Sequence, residues 1–272
     1  MPAKLSTFAL LIKLACACAF VDAAAQSHTG SAPQEQASPS ADTVSTAEAV
    51  KKRLDPTDFQ TRVEARYEHQ ALHDGGSRAL FVPRLEYAFT NTLALRLETP
   101  YLWNRADGQP YDRGFGDMTA RLNWRVLRKP GFALVIGPEL SLDTGENGIG
   151  FDMTVFQPVV FAAVDVPSLN SVFFPYAQHF VDVAGDNDVN MSLFRTALLT
   201  RWPNRFYTFF EPSLYVNWRD GDKTAAAFEL EVGRVMTRHL ALWVRPGGGV
   251  GGNRLAFVPD WNIEVGFRYF LD

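Results

Sequence analysis

The sequence predicts an all-β fold, an antiparallel up-and-down transmembrane β-barrel of about twelve strands. From about residue 58 onward, stretches of roughly ten residues alternate apolar and polar side chains. The breaks between them also alternate, being short and tight or longer and rich in Gly and Asp. Strands of an outer-membrane barrel face lipid on one side and the lumen on the other, and their connections are long at one end only. Both rhythms therefore favour this class.

The alternation locates the individual strands. In the first strand Phe59, Val63 and Tyr67 alternate with Arg62 and Glu64, and side chains on a strand point to opposite faces with period two. Twelve candidate strands lie near 58–68, 77–88, 91–103, 117–128, 131–143, 153–165, 171–183, 188–200, 205–218, 224–236, 238–247 and 260–271. Short connections such as 89–91 follow even-numbered strands, whereas longer ones such as 104–116 and 247–259 follow odd-numbered strands. An even count with both chain ends on the short-turn side is what the class requires.

Aromatic residues fall near the predicted strand ends. At the presumed outer ends lie Trp103, Trp218 and Trp261, and at the inner ends lie Tyr87, Trp124, Phe132, Phe206 and Tyr269. Amphipathic rings collect at both membrane interfaces, so two aromatic girdles are expected. The alternative is that these rings are the core of a soluble β-sandwich.

The first 25 residues have the order of a cleaved signal peptide: basic Lys4 and Lys13, a short apolar run over 14–21, and small residues at 23–25. Both cysteines, Cys16 and Cys18, lie in this run, so the mature chain would have none, which excludes disulfides and thiol chemistry. An alternative is a lipoprotein acylated at one of them. Removing 1–25 leaves 24 basic and 29 acidic residues, a net charge of −5. Nothing in that balance favours nucleic acid as a partner, which would need a basic face.

Residues 26–57 are rich in Ser, Ala, Gln, Thr and Pro, with almost no large apolar side chain before Leu54. Such a segment buries too little surface to offset chain entropy, so a disordered periplasmic leader is predicted. The alternative is a plug that enters the barrel. The domain organisation is then a signal peptide at 1–25, a leader at 26–57 and a barrel at 58–272.

Prolines inside the candidate strands fit this scheme least well. Proline cannot donate to a strand ladder, so β-bulges or strand kinks are expected where it occurs. The positions concerned are Pro83, Pro138, Pro158, Pro175 and Pro212.

The polar faces of the strands are unusually charged. Closure of the barrel should bring Arg62 and Arg66 near Glu264, since the first and last strands must pair. Charges in a confined lumen are costly unless they are paired, so one interpretation is a satisfied Arg/Glu ladder that fills the interior. The other is a charged conduit that selects a polar or anionic solute. The lumen and selectivity candidates are Arg62, Glu64, Arg66, Arg84, Arg96, Glu98, Arg121, Arg125, Glu139, Glu231, Glu264 and Arg268.

Strands six to eight differ, because residues 155–164 and 172–174 are apolar on both faces. This wall could line a path for a hydrophobic solute, form a protomer interface or pack against the leader.

The sequence offers little for catalysis or cofactor binding. His179 and Ser192 could meet across a hairpin, but a hydrolase also needs an orienting carboxylate or amide and oxyanion donors. Residues 143–148 have the composition of a calcium loop without its ligand spacing, and are predicted to be a turn. The glycines of 247–252 lack the strand and helix context of a dinucleotide site. No catalytic residue, metal site or cofactor is predicted.

Several short motifs resemble a known family. Gly114-Phe115-Gly116-Asp117 opens a strand, 137–145 reads Gly-Pro-Glu-Leu-Ser-Leu-Asp-Thr-Gly, and Gly148-Ile149-Gly150 and Gln157-Pro158 follow. This series resembles the bacterial outer-membrane barrels of the phenol-degradation meta-pathway type, although Asp143 stands where the family usually has proline. The resemblance implies passive uptake of small, often aromatic or hydrophobic compounds.

The leading hypothesis is thus a passive outer-membrane channel for small molecules. Its expected partners are outer-membrane lipid and lipopolysaccharide, the barrel-assembly machinery and a small-molecule solute. The alternatives are a non-conducting structural or adhesive barrel and, more distantly, an outer-membrane lipid hydrolase.

Overall fold

The structure, a computed structural model, describes residues 53–185 and 188–271. The predicted signal peptide and most of the predicted leader lie outside these residues. The strands are β1 (Arg62–Ala71), β2 (Ser77–Ala88), β3 (Leu93–Glu98), β4 (Tyr101–Arg105), β5 (Asp112–Phe115), β6 (Thr119–Lys129), β7 (Phe132–Gly137), β8 (Glu139–Ser141), β9 (Met153–Phe156), β10 (Val159–Val166), β11 (Ser171–Gly185), β12 (Asn190–Arg201), β13 (Phe206–Asn217), β14 (Lys223–Val235), β15 (Leu240–Gly252) and β16 (Trp261–Phe270). No helix within 53–185 or 188–271 is long and apolar enough to cross a membrane.

These sixteen segments make a closed barrel of twelve antiparallel strands. Four barrel strands are interrupted and consist of two segments each, namely β3 with β4, β5 with β6, β7 with β8 and β9 with β10. The barrel closes where β1 pairs with β16, from Arg62 opposite Phe270 to Ala71 opposite Trp261. The predicted fold class is confirmed, and closure excludes the soluble β-sandwich.

The two ends of the barrel differ. At one end the strands are joined by brief connections such as 89–92 and 236–239, and both β1 and β16 have their chain-terminal ends there; we call this the turn end. At the other, the loop end, the connections include 106–111, 142–152 and 253–260. This asymmetry is the one that the spacing of the sequence predicts.

The two faces of the wall have opposite chemistry. Along β16 the exposed residues are Trp261, Ile263, Val265, Phe267 and Tyr269, and the residues between them include buried Asn262 and Glu264. The outward face is therefore apolar and suited to lipid, whereas the polar residues face the lumen.

None of the five prolines lies at a β-bulge, so the expectation of bulges at these positions is wrong. Pro138 and Pro158 lie at breaks between two segments of one barrel strand. Around Pro175 the β10–β11 ladder passes from Phe161–Tyr176 directly to Val164–Phe173 with its register unchanged. The β12–β13 ladder behaves in the same way around Pro212. A missing N–H therefore opens the ladder locally, without inserting a residue.

The register shifts that do occur lie elsewhere, between Arg125 and Leu127, between Asp182 and Ala184, and between Ala226 and Ala227. The last of these faces the glycines of 247–252, which belong to β15 rather than to the connection in which the sequence pattern placed them. Gly247 shows why glycine is needed, since a Cβ there would lie 2.7 Å from Asn262 Oδ1 and 2.6 Å from the Phe228 carbonyl oxygen.

The glycine motifs that suggested a family resemblance converge on one carboxylate at the loop end. Asp117 Oδ1 accepts hydrogen bonds from the amides of Thr144 (3.2 Å) and Gly145 (2.9 Å), and Oδ2 accepts one from Phe151 (2.7 Å). A Cβ on Gly145 or Gly150 would lie within 2.9 Å of Oδ1. Hydrogen bonds to an ionised acceptor are strong, so Asp117 clamps loop 142–152 onto the wall.

Candidate functional site

A chain of ion pairs, linked at one point through a tyrosine, runs around the lumen side of the wall. Arg268 binds Glu64 at 2.7 Å and Glu231 at 2.7 Å, and so links β16 to β1 and β14. From Glu64 the chain continues through Arg84 at 2.7 Å to Glu98 at 2.8 Å. Since Arg268 reaches from β16 past β15 to β14, these side chains extend inward and bridge strands that are not neighbours.

The chain then continues from Glu98 to Arg195 on β12. Arg96 lies 3.3 Å from Glu98 and 3.4 Å from Glu139, and Glu139 also pairs with Arg121. Arg121 donates to the Tyr176 hydroxyl at 3.1 Å, and the Arg195 guanidinium lies 5.6 Å from the centre of the Tyr176 ring.

Glu211 completes the circuit, because it binds Arg195 at 3.2 Å and lies 3.8 Å from Arg245, which pairs with Glu231. We call this closed ring the ionic belt. Its members are Glu64, Arg84, Arg96, Glu98, Arg121, Glu139, Tyr176, Arg195, Glu211, Glu231, Arg245 and Arg268.

The belt is nearly balanced in charge. Arg66 joins it through Glu98 (3.2 Å) and also binds Glu264 (3.1 Å), and Arg245 lies 3.7 Å from Glu229. With these three branches the belt has seven arginines and seven glutamates. Buried charges need such pairing, since an unpaired charge out of water is strongly destabilising.

Most of the predicted lumen residues lie in the belt or its branches, and two do not. Arg62 pairs with Glu86 at 3.0 Å, nearer the turn end, instead of approaching Glu264 as predicted. Arg125 lies still nearer that end, where it donates to the Thr57 carbonyl oxygen at 2.8 Å. Arg66 makes the predicted contact with Glu264.

The selectivity candidates do not include the charged belt and branch residues Glu211, Glu229 and Arg245. Four further belt or belt-supporting residues gave no signal in the charge pattern: Tyr176, Arg195, Tyr207 and Trp243. Tyr207 donates to Glu231 at 2.8 Å, and Trp243 donates to Glu264 at 3.0 Å while Arg268 stacks over its ring. Period two marks all four positions as inward-facing. However, alternation alone does not show that an inward aromatic ring has a charged neighbour.

A polar cavity of about 260 Å³ lies on the loop side of the belt. Belt members Arg195 and Arg245 line it, together with Arg66, Glu68 and Glu229. We call this cavity the vestibule. The 253–260 connection bounds it, because Leu255 and Val258 are buried against lumen-facing Ala225. The connection therefore folds inward and narrows the loop end of the barrel.

The turn end of the lumen holds an apolar cluster around the described end of the predicted leader. Leu54, with 6% of its surface exposed, packs with inward residues that include Val172, Phe174 and Leu199. Phe59 packs nearby against Val135, Val159 and Phe161. Of the three interpretations of the apolar strands, packing against the leader is the contact that the structure contains, through Leu54 and Phe59.

His179 and Ser192 do meet across the β11–β12 hairpin, as the sequence suggested. His179 Nδ1 lies 3.0 Å from Ser192 Oγ, which also accepts a hydrogen bond from the Trp218 indole at 2.9 Å. Within the described part of the chain no carboxylate is hydrogen-bonded to His179. The pair therefore lacks the orienting group that a Ser/His hydrolase uses.

An apolar outward face, a closed sheet and a charged lumen define a transmembrane β-barrel. No family model and no curated protein matches the chain. Solved structures do: an outer membrane channel from Pseudomonas putida F1 has a TM-score of 0.62 and 13% identity, over 80% of this chain and 100% of that one. The NanC porin gives 0.55 at 13% identity over 78% and 100%, and the KdgM porin 0.55 at 9% over 78% and 99%.

These similarities establish that the chain has the fold of outer-membrane β-barrels. The narrower resemblance to barrels of the phenol-degradation meta-pathway stays a prediction.

Proposed function

We propose that the protein is a passive outer-membrane channel for small molecules, with the loop end outside the cell. The observation that carries the proposal is the vestibule, a polar cavity inside the barrel with the ionic belt as its floor. A lumen that served only as a core would be expected to fill this space with side chains. The likeness to outer-membrane channels and porins supports the same activity.

Selectivity in this proposal comes from the belt and its branches. Paired charges of both signs favour solutes that hydrogen-bond, and disfavour purely apolar ones, which would desolvate the belt without replacing its partners. Aromatic or hydrophobic solutes, which the family resemblance implies, remain a second substrate class. The contact between Tyr215 and Phe257 near the vestibule, with ring centroids 5.3 Å apart, favours that class.

A non-conducting barrel is the second candidate function, and one observation favours it: Leu54 and Phe59 pack inside the turn-end mouth. The channel and the non-conducting barrel would have the same partners at the outward face of the wall. Lipid and lipopolysaccharide would cover the apolar face, and the barrel-assembly machinery would insert the chain.

Two neighbouring residues on β13 provide the test. Ser213 lines the vestibule, whereas Leu214 is exposed on the outward face. Each is replaced by cysteine in a background with Cys16 and Cys18 changed to serine. Conductance across a planar bilayer is then recorded before and after a water-soluble thiol reagent. We expect steady conductance that falls on modification of Ser213→Cys and stays constant for Leu214→Cys. A folded protein that never conducts or admits solutes would favour the non-conducting barrel.

A further inference from the structure

We infer that the vestibule is a binding site for a small zwitterionic solute, one that carries both a carboxylate and an ammonium group, as a free amino acid does. This inference rests on the proposed function and names a substrate class for the same site.

Two arginines that line the vestibule can bind a carboxylate. Arg195 has 30% of its side chain exposed, whereas the other six arginines of the belt and its branches have between 7% and 18%. Arg66, which also lines the vestibule, has a buried Nη1 with no hydrogen-bond partner. A guanidinium presents its N–H groups in a planar fork that matches a carboxylate, so these donors favour that group.

Two carboxylates that line the vestibule can bind an ammonium group. Asn262 Nδ2 donates to Glu68 at 3.0 Å and to Glu229 at 2.9 Å, so a neutral amide bridges the two acids. Glu229 is also the most exposed of the seven paired glutamates, at 28%, and its contact with Arg245 is long, at 3.7 Å. Oxygen atoms of both acids can therefore accept further hydrogen bonds, and an ammonium group supplies three donors.

The two kinds of group are interleaved around the wall. Arg195 lies on β12 and Glu229 on β14, whereas Arg66 and Glu68 both lie on β1. The vestibule therefore presents guanidinium donors and carboxylate acceptors to the same small ligand. A simple anion would bind Arg195 without binding the acids, and a simple cation would do the reverse. A zwitterion binds both kinds of group and keeps the net charge of the lumen unchanged.

The size of the vestibule limits the ligand. Its volume of about 260 Å³ is below the ~300–1,000 Å³ of pockets that enclose drug-sized molecules. A ligand with few heavy atoms, such as a single amino acid, therefore fits within it.

Binding can be measured without relying on transport. The full chain, folded in detergent, is titrated with L-alanine, propionate and ethylammonium, and saturation-transfer NMR follows each ligand. The three probes have similar size and differ in which charges they carry. We expect alanine to bind about tenfold or more tightly than either single ion, because each lost charged hydrogen bond weakens binding by roughly that factor.

Variants test which residues bind each charged group of the ligand. Arg195→Gln should weaken alanine binding and leave ethylammonium unchanged, and Glu229→Gln should weaken alanine and leave propionate unchanged. Lys129→Gln, at an exposed position near the turn end, is the control and should change nothing. Equal affinity for alanine and one single ion, or no binding of alanine, overturns the inference. Ligand binding is measured on folded protein in detergent and does not depend on conductance. A protein that binds alanine but never conducts would contradict the proposed function and leave this inference intact.

Discussion

Glu64 is the belt residue whose replacement gives the clearest test of how the lumen is stabilised. It has 2% of its surface exposed and accepts hydrogen bonds from Arg84 and Arg268, both at 2.7 Å. Glu64→Gln keeps the shape and removes the charge, so two buried guanidinium groups each lose one ionic partner. Removing one member of a buried pair typically costs about 3–5 kcal/mol. Arg84 keeps Glu98 and Arg268 keeps Glu231, so the lower end, about 3 kcal/mol, is expected.

Urea unfolding in lipid vesicles measures this loss, with tryptophan fluorescence and the heat-sensitive electrophoretic mobility of the barrel as two probes of the same transition. Asp220→Asn is the matched control, since Asp220 pairs with Lys223 at 2.6 Å but has 57% of its side chain exposed. Exposed pairs contribute about 0–1 kcal/mol, so the control should hardly change the free energy of unfolding. If Glu64→Gln lowers the free energy of unfolding no more than Asp220→Asn does, the belt does not stabilise the barrel.

Four other predictions concern ion selectivity, the turn-end mouth, loop 142–152 and the hydrolase hypothesis. In bilayers under a salt gradient, Glu64→Gln should shift the reversal potential toward anion preference, since the belt gains one net positive charge; an unchanged potential would mean that ions do not pass the belt. Leu54→Ala should weaken docking of residues 53–59 by about 2 kcal/mol, which raises the population of the open turn end about thirtyfold. Single-channel recording would show this as longer open times, and identical traces would refute it. Asp117→Asn should speed hydrogen exchange at the Gly145 amide about tenfold, because a charge-assisted bond is lost, and equal rates would argue against the clamp. Ser192→Ala should leave phospholipid cleavage at the level of protein-free vesicles, as should the wild type; a wild-type activity that the variant lacks would revive the hydrolase hypothesis.

Alternation predicted which face each residue occupies, and in β16 it placed Asn262 and Glu264 inside and Ile263 outside, as observed. It could not predict the level of a residue along the barrel axis. Strand stagger sets those levels, and no local pattern encodes it. For that reason Arg66 was correctly placed beside Glu264, whereas Arg62, expected at the same acid, pairs with Glu86.

Composition also gives little information where few residues decide the structure. The disordered leader at 26–57 stays a prediction for the most part, but within its described end Leu54 is buried. One large side chain is enough when the barrel already presents Val172, Phe174 and Leu199 around the mouth. Arg195 was missed for a related reason, since one charge in the interior of the mostly apolar strand β12 has little weight in a pattern but completes the belt.

The prolines within the wall have a consequence for the chain before it reaches the membrane. Ten-residue alternating segments are suited to intermolecular cross-β stacking while they are still extended in water. Pro83, Pro175 and Pro212 lack an N–H, so a second chain that paired along these segments would meet a gap. The finished barrel tolerates each gap without a change of register. The same residues that open the ladder locally in the native wall thus protect the newly made polypeptide from aggregation.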